Sequence, residues 1–86
     1  MTNASILSQY ETLAAIMELL LEAARTGDWE HFDELQNRYD SYIVMMKARG
    51  PYAPLTGADR ERKVVLIKRM FAIDREMQVI AESLAA

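Results

Sequence analysis

A break of two residues between two amphipathic stripes constrains this fold more than any other feature. Apolar residues recur at alternating spacings of four and three up to Ala24, and a second series begins at Trp29, directly after Gly27 and Asp28. Gly27 suits the left-handed conformation that ends a helix, and Asp28 suits the cap that starts the next one. Because so short a linker keeps consecutive helices side by side, we expect an antiparallel helical hairpin.

A third stripe follows a second break. Gly50-Pro51 is a stop signal for the second helix, and Thr56 with Asp59 resembles a capping box that starts a third. The three stripes are Ile6, Tyr10, Leu13, Met17, Leu20 and Ala24; Trp29, Phe32, Leu35, Tyr39, Tyr42 and Met46; and Leu66, Met70, Ile73, Met77, Ile80 and Leu84. They predict an all-α protein, an antiparallel three-helix hairpin bundle with helices at about 4–25, 29–49 and 57–84.

Length and composition indicate one globular domain over residues 1–86. With 86 residues, 51% of them hydrophobic and 27% charged, the chain suits a single modest core. The sequence has no cysteine, no secretory signal, and no apolar run near the ~20 residues that span a bilayer. We therefore expect a cytoplasmic protein that contains no membrane segment.

The residues that carry enzymatic or metal chemistry are sparse. One histidine, His31, and no cysteine leave no metal cluster of the usual spacing, and phosphate-binding glycine loops are absent. A net charge of −3 disfavours nucleic acid as a partner. A small helical enzyme of the chorismate-mutase kind needs basic residues on its first helix, which here has none before Arg25. We predict a protein that is not an enzyme and that uses no metal or cofactor.

Two surplus apolar segments meet at one end of the predicted bundle. The end of helix two is apolar nearly all round, including Met45 and Met46, and helix three has a second apolar line at Val64, Ile67 and Phe71. Three interpretations stay open at this point. In the first, the loop between the helices covers this surface as ordinary core. In the second, the surface is a groove for an apolar helix of a partner, and in the third it is a homodimer interface.

Charge is divided between the two ends of the predicted bundle. The end with the surplus apolar segments has basic residues, and the end with the short turn has acidic ones. The basic set is Lys47, Arg49, Arg60, Arg62 and Lys63, and the acidic set is Glu22, Asp28, Glu30, Asp33, Glu34 and Glu82. These charges are either solvated faces with some interhelical pairing, or a polar surface that orients an incoming partner.

Two segments carry a resemblance to a known family. The segment from Ala24 to Trp29, ARTGDW, followed by Leu35, Tyr39 and Ile43, resembles the FliT-type flagellar export chaperones. The segment from Ile67 to Met77, with its aliphatic-Asp-x-Glu-aliphatic centre, is similar to helix three of that family. The order and separation of the two segments match the family over about two-thirds of the chain. Enteric members also have a fourth helix, which has no counterpart in this sequence.

The resemblance implies a flagellar type III export chaperone that holds the filament-cap protein before export. In the family, an apolar groove of helices two and three binds the C-terminal helical part of that client, and the positions matching the groove are Met45, Met46, Val64, Ile67 and Phe71. It also implies the export ATPase complex and the flagellar transcription regulator as further partners. The alternative is a structural coiled-coil or homodimerisation module without a client, so a monomer and a homodimer both remain open.

Overall fold

The computed structural model describes residues 3–50 and 52–85, with side chains from Ile6 onward. Three helices account for most of this part of the chain: α1 at Asn3–Thr26, α2 at Trp29–Arg49 and α3 at Gly57–Ala85. The described residues contain no strand. The prediction of an all-helical protein with three helices is confirmed, while the predicted stop at Pro51 lies outside the described residues.

The turn between α1 and α2 caps both helices with two residues. Gly27 has a φ of +73°, and its N–H donates to the Ala24 carbonyl at 3.3 Å. The Asp28 N–H donates to the Ala23 carbonyl at 2.9 Å, which completes a Schellman motif at the end of α1. The Asp28 carboxylate then accepts from the His31 N–H at 3.2 Å and caps α2. The roles predicted for Gly27 and Asp28 are confirmed.

Helix α1 is the central helix of the molecule. Most buried apolar side chains belong to it, because adjacent pairs such as Ile16-Met17 and Leu20-Leu21 widen its apolar face to cover two neighbours. It packs against both α2 and α3. Within the described residues, no Cα of α2 comes within 8 Å of a Cα of α3. A furrow therefore lies between the two outer helices, α2 and α3, and α1 forms its base.

The order of the contacts shows how the chain directions alternate. Ile6 near the start of α1 shares a cluster with Met46 near the end of α2, and Ala23 near the end of α1 shares one with Leu35. Contacts between α1 and α3 instead follow the same order along both helices. We infer that α2 runs opposite to α1, and that α3 runs parallel to α1.

A ladder of three ion pairs joins α1 to α3. Its pairs are Glu11–Arg62, Glu18–Arg69 and Arg25–Glu76, each separated by 51 residues in sequence and each seven residues from the next. A seven-residue repeat is the spacing at which side chains flank the seam of two supercoiled helices. The side chains are partly exposed, so each pair is worth only about 0–1 kcal/mol of stability.

The third pair of the ladder has its charges reversed, which gives the ladder information about register. If α3 slipped by seven residues in one direction, Arg25 would face Arg69. A slip in the other direction would bring Glu18 opposite Glu76. Each slip thus creates a pair of like charges, so the ladder disfavours wrong registers even though it adds little to stability.

Candidate partner-binding surface

The segment between α2 and α3 covers one end of the core. The Tyr52 hydroxyl lies 2.9 Å from Gln9 Oε1 and 3.1 Å from the Met46 carbonyl oxygen, so it can donate to either acceptor. Leu55 is buried in one cluster with Ile6 and Met46. The interpretation that this loop folds back as ordinary core is therefore correct for the end of α2.

One of the predicted site residues, Met46, is buried. Met46 is only 9% exposed and lies in the core beneath the Tyr52–Leu55 segment. The apolar run at the end of α2 is continuous because α1 and the loop both pack against it, which takes more than one stripe of a helix. Met46 is therefore a core residue in this structure, and its predicted role as a partner contact stays a prediction. Met45, its neighbour, is half-buried.

A groove remains open farther along the furrow between α2 and α3. It has a volume of about 210 Å³ and is lined by Met17, Tyr39, Ile67, Met70, Phe71 and Asp74. Met17 comes from the central helix, Tyr39 from α2 and the other four from α3. We call this the Phe71 groove. It forms where the backbones of the two outer helices stand apart, with no Cα of α2 within 8 Å of a Cα of α3 among the described residues.

The remaining predicted residues occupy different places relative to this groove. Ile67 and Phe71 both line it, and Phe71 is 69% exposed although it lies in the middle of a helix. Val64 is exposed one turn earlier, beside a shallow hollow that also contains Arg60. Val64 and Met45 are not among the residues that line the groove. Whether any of these side chains binds a partner stays a prediction.

Four lining residues were not among the predicted site residues. Met17, Tyr39 and Met70 belong to the regular apolar stripes, and the sequence assigns them to the core. Asp74 belongs to the family-like segment of α3 but was given no site role. Periodicity cannot identify these residues, because it shows which side of a helix is apolar but not how far two neighbouring helices stand apart.

The groove contains one titratable side chain in a perturbed environment. Burial raises the pKa of the Tyr39 hydroxyl above its usual value of 10.0, and the nearby carboxylates of Asp74 and Asp40 raise it further. The hydroxyl therefore stays protonated at neutral pH and can donate a hydrogen bond. With the Asp74 carboxylate as an acceptor, the groove combines an apolar lining with two polar groups that can orient a ligand.

The basic end of the molecule makes internal contacts as well as facing solvent. The Lys63 ammonium lies 5.2 Å from the centre of the Tyr10 ring, a cation–π distance. Arg62 Nε lies 3.4 Å from Glu11 Oε1 in the ladder. Both cations thus attach the first turns of α3 to α1. This accounts for part of the basic cluster that helix stability alone does not explain.

The fold and the groove together define a class of protein. None of the three helices, over their described lengths, is long and apolar enough to cross a membrane. Residues 3–50 and 52–85 contain no group of three or more potential metal ligands. The groove is smaller than the ~300–1,000 Å³ typical of small-molecule sites. The described residues thus form a small helical protein with an apolar groove open at its surface.

Comparison with known families identifies the family of this chain. The family model described as flagellar protein FliT matches residues 7–86. Since the match spans nearly the whole sequence, the chain belongs to the FliT family, which is a family of flagellar chaperones rather than enzymes. No curated relative and no solved structure matches the chain.

Proposed function

We propose that this protein is a cytoplasmic flagellar export chaperone that binds the C-terminal helical part of the filament-cap protein in the Phe71 groove. Family membership supports a chaperone role in flagellum assembly and flagellar proteins as partners. The groove supplies a surface of suitable chemistry between α2 and α3. Bound there, an aggregation-prone helix of the client is kept from water until export.

The observation that carries this proposal is the exposure of Phe71 beside an apolar groove. A phenylalanine that is 69% exposed leaves much of its surface in water. If a partner helix covers about 100 Å² of that surface, the gain is roughly 2.5 kcal/mol at 25 cal/mol per Å². Met17 and Met70 add unbranched side chains that adapt to the shape of an incoming apolar residue.

The size of the groove indicates how a client helix is seated. A helix with its side chains is about 10 Å across, so a volume of about 210 Å³ receives only one or two apolar side chains. The client helix therefore rests on α2 and α3 and inserts apolar residues between them. This is the helix-in-groove mode of recognition, in which residues spaced by three and four act as anchors.

Calorimetry with a matched pair of variants tests the proposal. The probe is the C-terminal segment of a filament-cap protein from the same bacterium. Phe71→Asp should weaken binding at least about 30-fold, which corresponds to roughly 2 kcal/mol. Val79→Asp is the control, because Val79 is 62% exposed on the same helix and does not line the groove. Its affinity should stay within about twofold of the unmodified protein.

Two results would count against this function. Absence of binding by the unmodified protein would exclude that client, and an equal loss in both variants would show that the groove is not the site. Circular dichroism of both variants confirms that the helices are intact. Since neither position is buried, we expect no change in helix content.

A homodimerisation role is the second candidate, and the exposure of Val64 and Val65 at the start of α3 favours it. A pair of exposed β-branched residues is suited to a helix–helix contact between copies. Sedimentation velocity distinguishes the two functions. A tight dimer that Val64→Lys converts to a monomer would support the module without a client, whereas a monomeric unmodified protein would exclude it.

A further inference from the structure

A second apolar hollow lies at the end of the molecule opposite the loop. It has a volume of about 340 Å³ and is lined by Ala24, Arg25, Thr26, Gly27, Trp29, Ile80, Ser83 and Leu84. Trp29 is 41% exposed and Leu84 is 65% exposed. We call it the Trp29 hollow. Phe71 lies thirteen residues before Leu84 on α3, or about 20 Å along the helix, so the hollow is separate from the Phe71 groove.

Trp29 is held in place although it is not part of the core clusters. The centres of the Trp29 and Phe32 rings lie 5.4 Å apart, with 65° between the ring planes, and of the two rings Phe32 packs against a buried cluster. The Schellman turn fixes the backbone immediately before it, and the Trp29 N–H donates to the Gly27 carbonyl at 3.1 Å, which holds the first residue of α2 to that turn. A large aromatic side chain on a fixed backbone costs little entropy when a partner covers it.

Acidic residues adjoin the lining of this hollow on both α2 and α3. Asp28 and Glu30 flank Trp29 in the sequence, and Glu82 precedes Ser83; we call these three the rim carboxylates. Arg25, the charged residue in the lining itself, pairs with Glu76. A partner that covers the hollow must therefore tolerate or neutralise an acidic rim. Anionic partners such as nucleic acid or an acidic lipid surface are repelled.

We propose that the Trp29 hollow is a second docking site, and that its occupant is a basic amphipathic helix of a partner protein. The apolar face of that helix covers Trp29 and Leu84, and its lysines and arginines approach the rim carboxylates. Trp29 also offers an aromatic face to a cation, the most favourable such face among side chains. This site does not depend on the function proposed for the Phe71 groove.

Fluorescence tests the proposal directly, because Trp29 is the sole tryptophan of the sequence. The probe is a synthetic Leu/Lys peptide patterned as an amphipathic helix. One control peptide has the same composition in scrambled order, and another has glutamate in place of lysine. We expect saturable binding with a shift of Trp29 emission for the amphipathic Leu/Lys peptide, at least about tenfold tighter than for either control. Raising the salt to 0.5 M should weaken binding, because it screens the rim charges.

Two variants separate this site from the groove while keeping the tryptophan reporter. Leu84→Ser should weaken binding of the Leu/Lys peptide about tenfold or more, since it removes an exposed apolar lining residue without adding a charge. Phe71→Asp should leave that affinity within about twofold, whatever its effect on a filament-cap client.

Four results would overturn the proposal. The first three are equal affinity for the scrambled peptide, an unchanged affinity in Leu84→Ser, and an emission that does not respond to the peptide. A shift of Trp29 emission with protein concentration alone would identify a second copy of the chain as the occupant instead, and would also overturn it.

Discussion

Helix α3 has two sides that differ in what covers them. On one side, Leu66 and Ile73 are buried against α1, and the ion-pair ladder runs beside them. On the other side, Val64 and Phe71 are exposed although they repeat the same helical spacing. Charged residues of α3 flank the covered side at intervals of seven residues, and each pairs with a residue of opposite charge on α1. The comparison shows that complementary flanking charge, rather than apolar spacing, distinguishes an internal seam from an open surface.

Truncation of a buried side chain between α1 and α3 should have the largest effect on stability. Ile73 is 4% exposed and lies in one cluster with Met17 and Leu21 of α1, so Ile73→Ala should lower the free energy of unfolding by about 2–5 kcal/mol. Urea unfolding followed by circular dichroism measures this change. Val79→Ala is the control on an exposed position, with an expected change within about 0.5 kcal/mol. Similar losses in both variants would mean that the two kinds of position are not energetically distinct.

Reversal of one ladder charge should have an intermediate effect. Arg69→Glu removes one partly exposed ion pair and places two carboxylates together, so we expect a loss of about 1 kcal/mol. The double variant Glu18→Arg/Arg69→Glu should recover at least half of that loss, because it restores opposite charges. Lys68→Glu, at the neighbouring exposed position, is the control. A double variant that is no more stable than Arg69→Glu would show that the ion pairs do not help to set the register of α3 against α1.

Titration of Tyr39 should give a smaller effect that appears only in alkali. Its pKa is raised by folding, so the folded state favours the neutral hydroxyl, and the associated stability is fully present below pH 10. That stability is lost as the pH rises from 10 through the higher pKa of the folded protein. Tyr39→Phe should therefore lose less stability between pH 9 and 11 than the unmodified protein in urea unfolding. Parallel curves for the two proteins would contradict the raised pKa.

Change on the open side of α3 should have the smallest effect on stability. Phe71→Ser removes an exposed ring, so the free energy of unfolding should change by no more than about 0.5 kcal/mol. The same variant should bind the filament-cap segment more weakly in calorimetry. A loss above about 2 kcal/mol would show that Phe71 is part of the core and not of a partner surface.

The sequence predicts the helices well because local signals determine them. Gly27 and Asp28 provide the turn and the caps within a few residues, and the apolar stripes need only the helical period. The family resemblance likewise depends on local segments, and the family match confirms it. These features do not depend on the distance between helices.

The candidate site is harder to predict because it depends on how helices are arranged. Met46 and Phe71 look alike in the sequence, yet one lies under the loop and the other faces solvent. The sequence does contain a signal that separates the two sides of α3. It is the matching seven-residue series of charges on α1 and α3, including the reversed third pair.

The 51-residue separation across the α1–α3 seam also has a consequence for the order of assembly. The α1–α2 hairpin joins residues that are close in sequence, so its loop closes early and at low entropic cost. Helix α3 can join α1 only after the intervening chain exists. The Phe71 groove draws side chains from all three helices, so during translation it is completed last. A nascent chain that lacks α3 therefore lacks the Phe71 groove, and the surface proposed for the client can form only after the chain has been synthesised beyond Asp74.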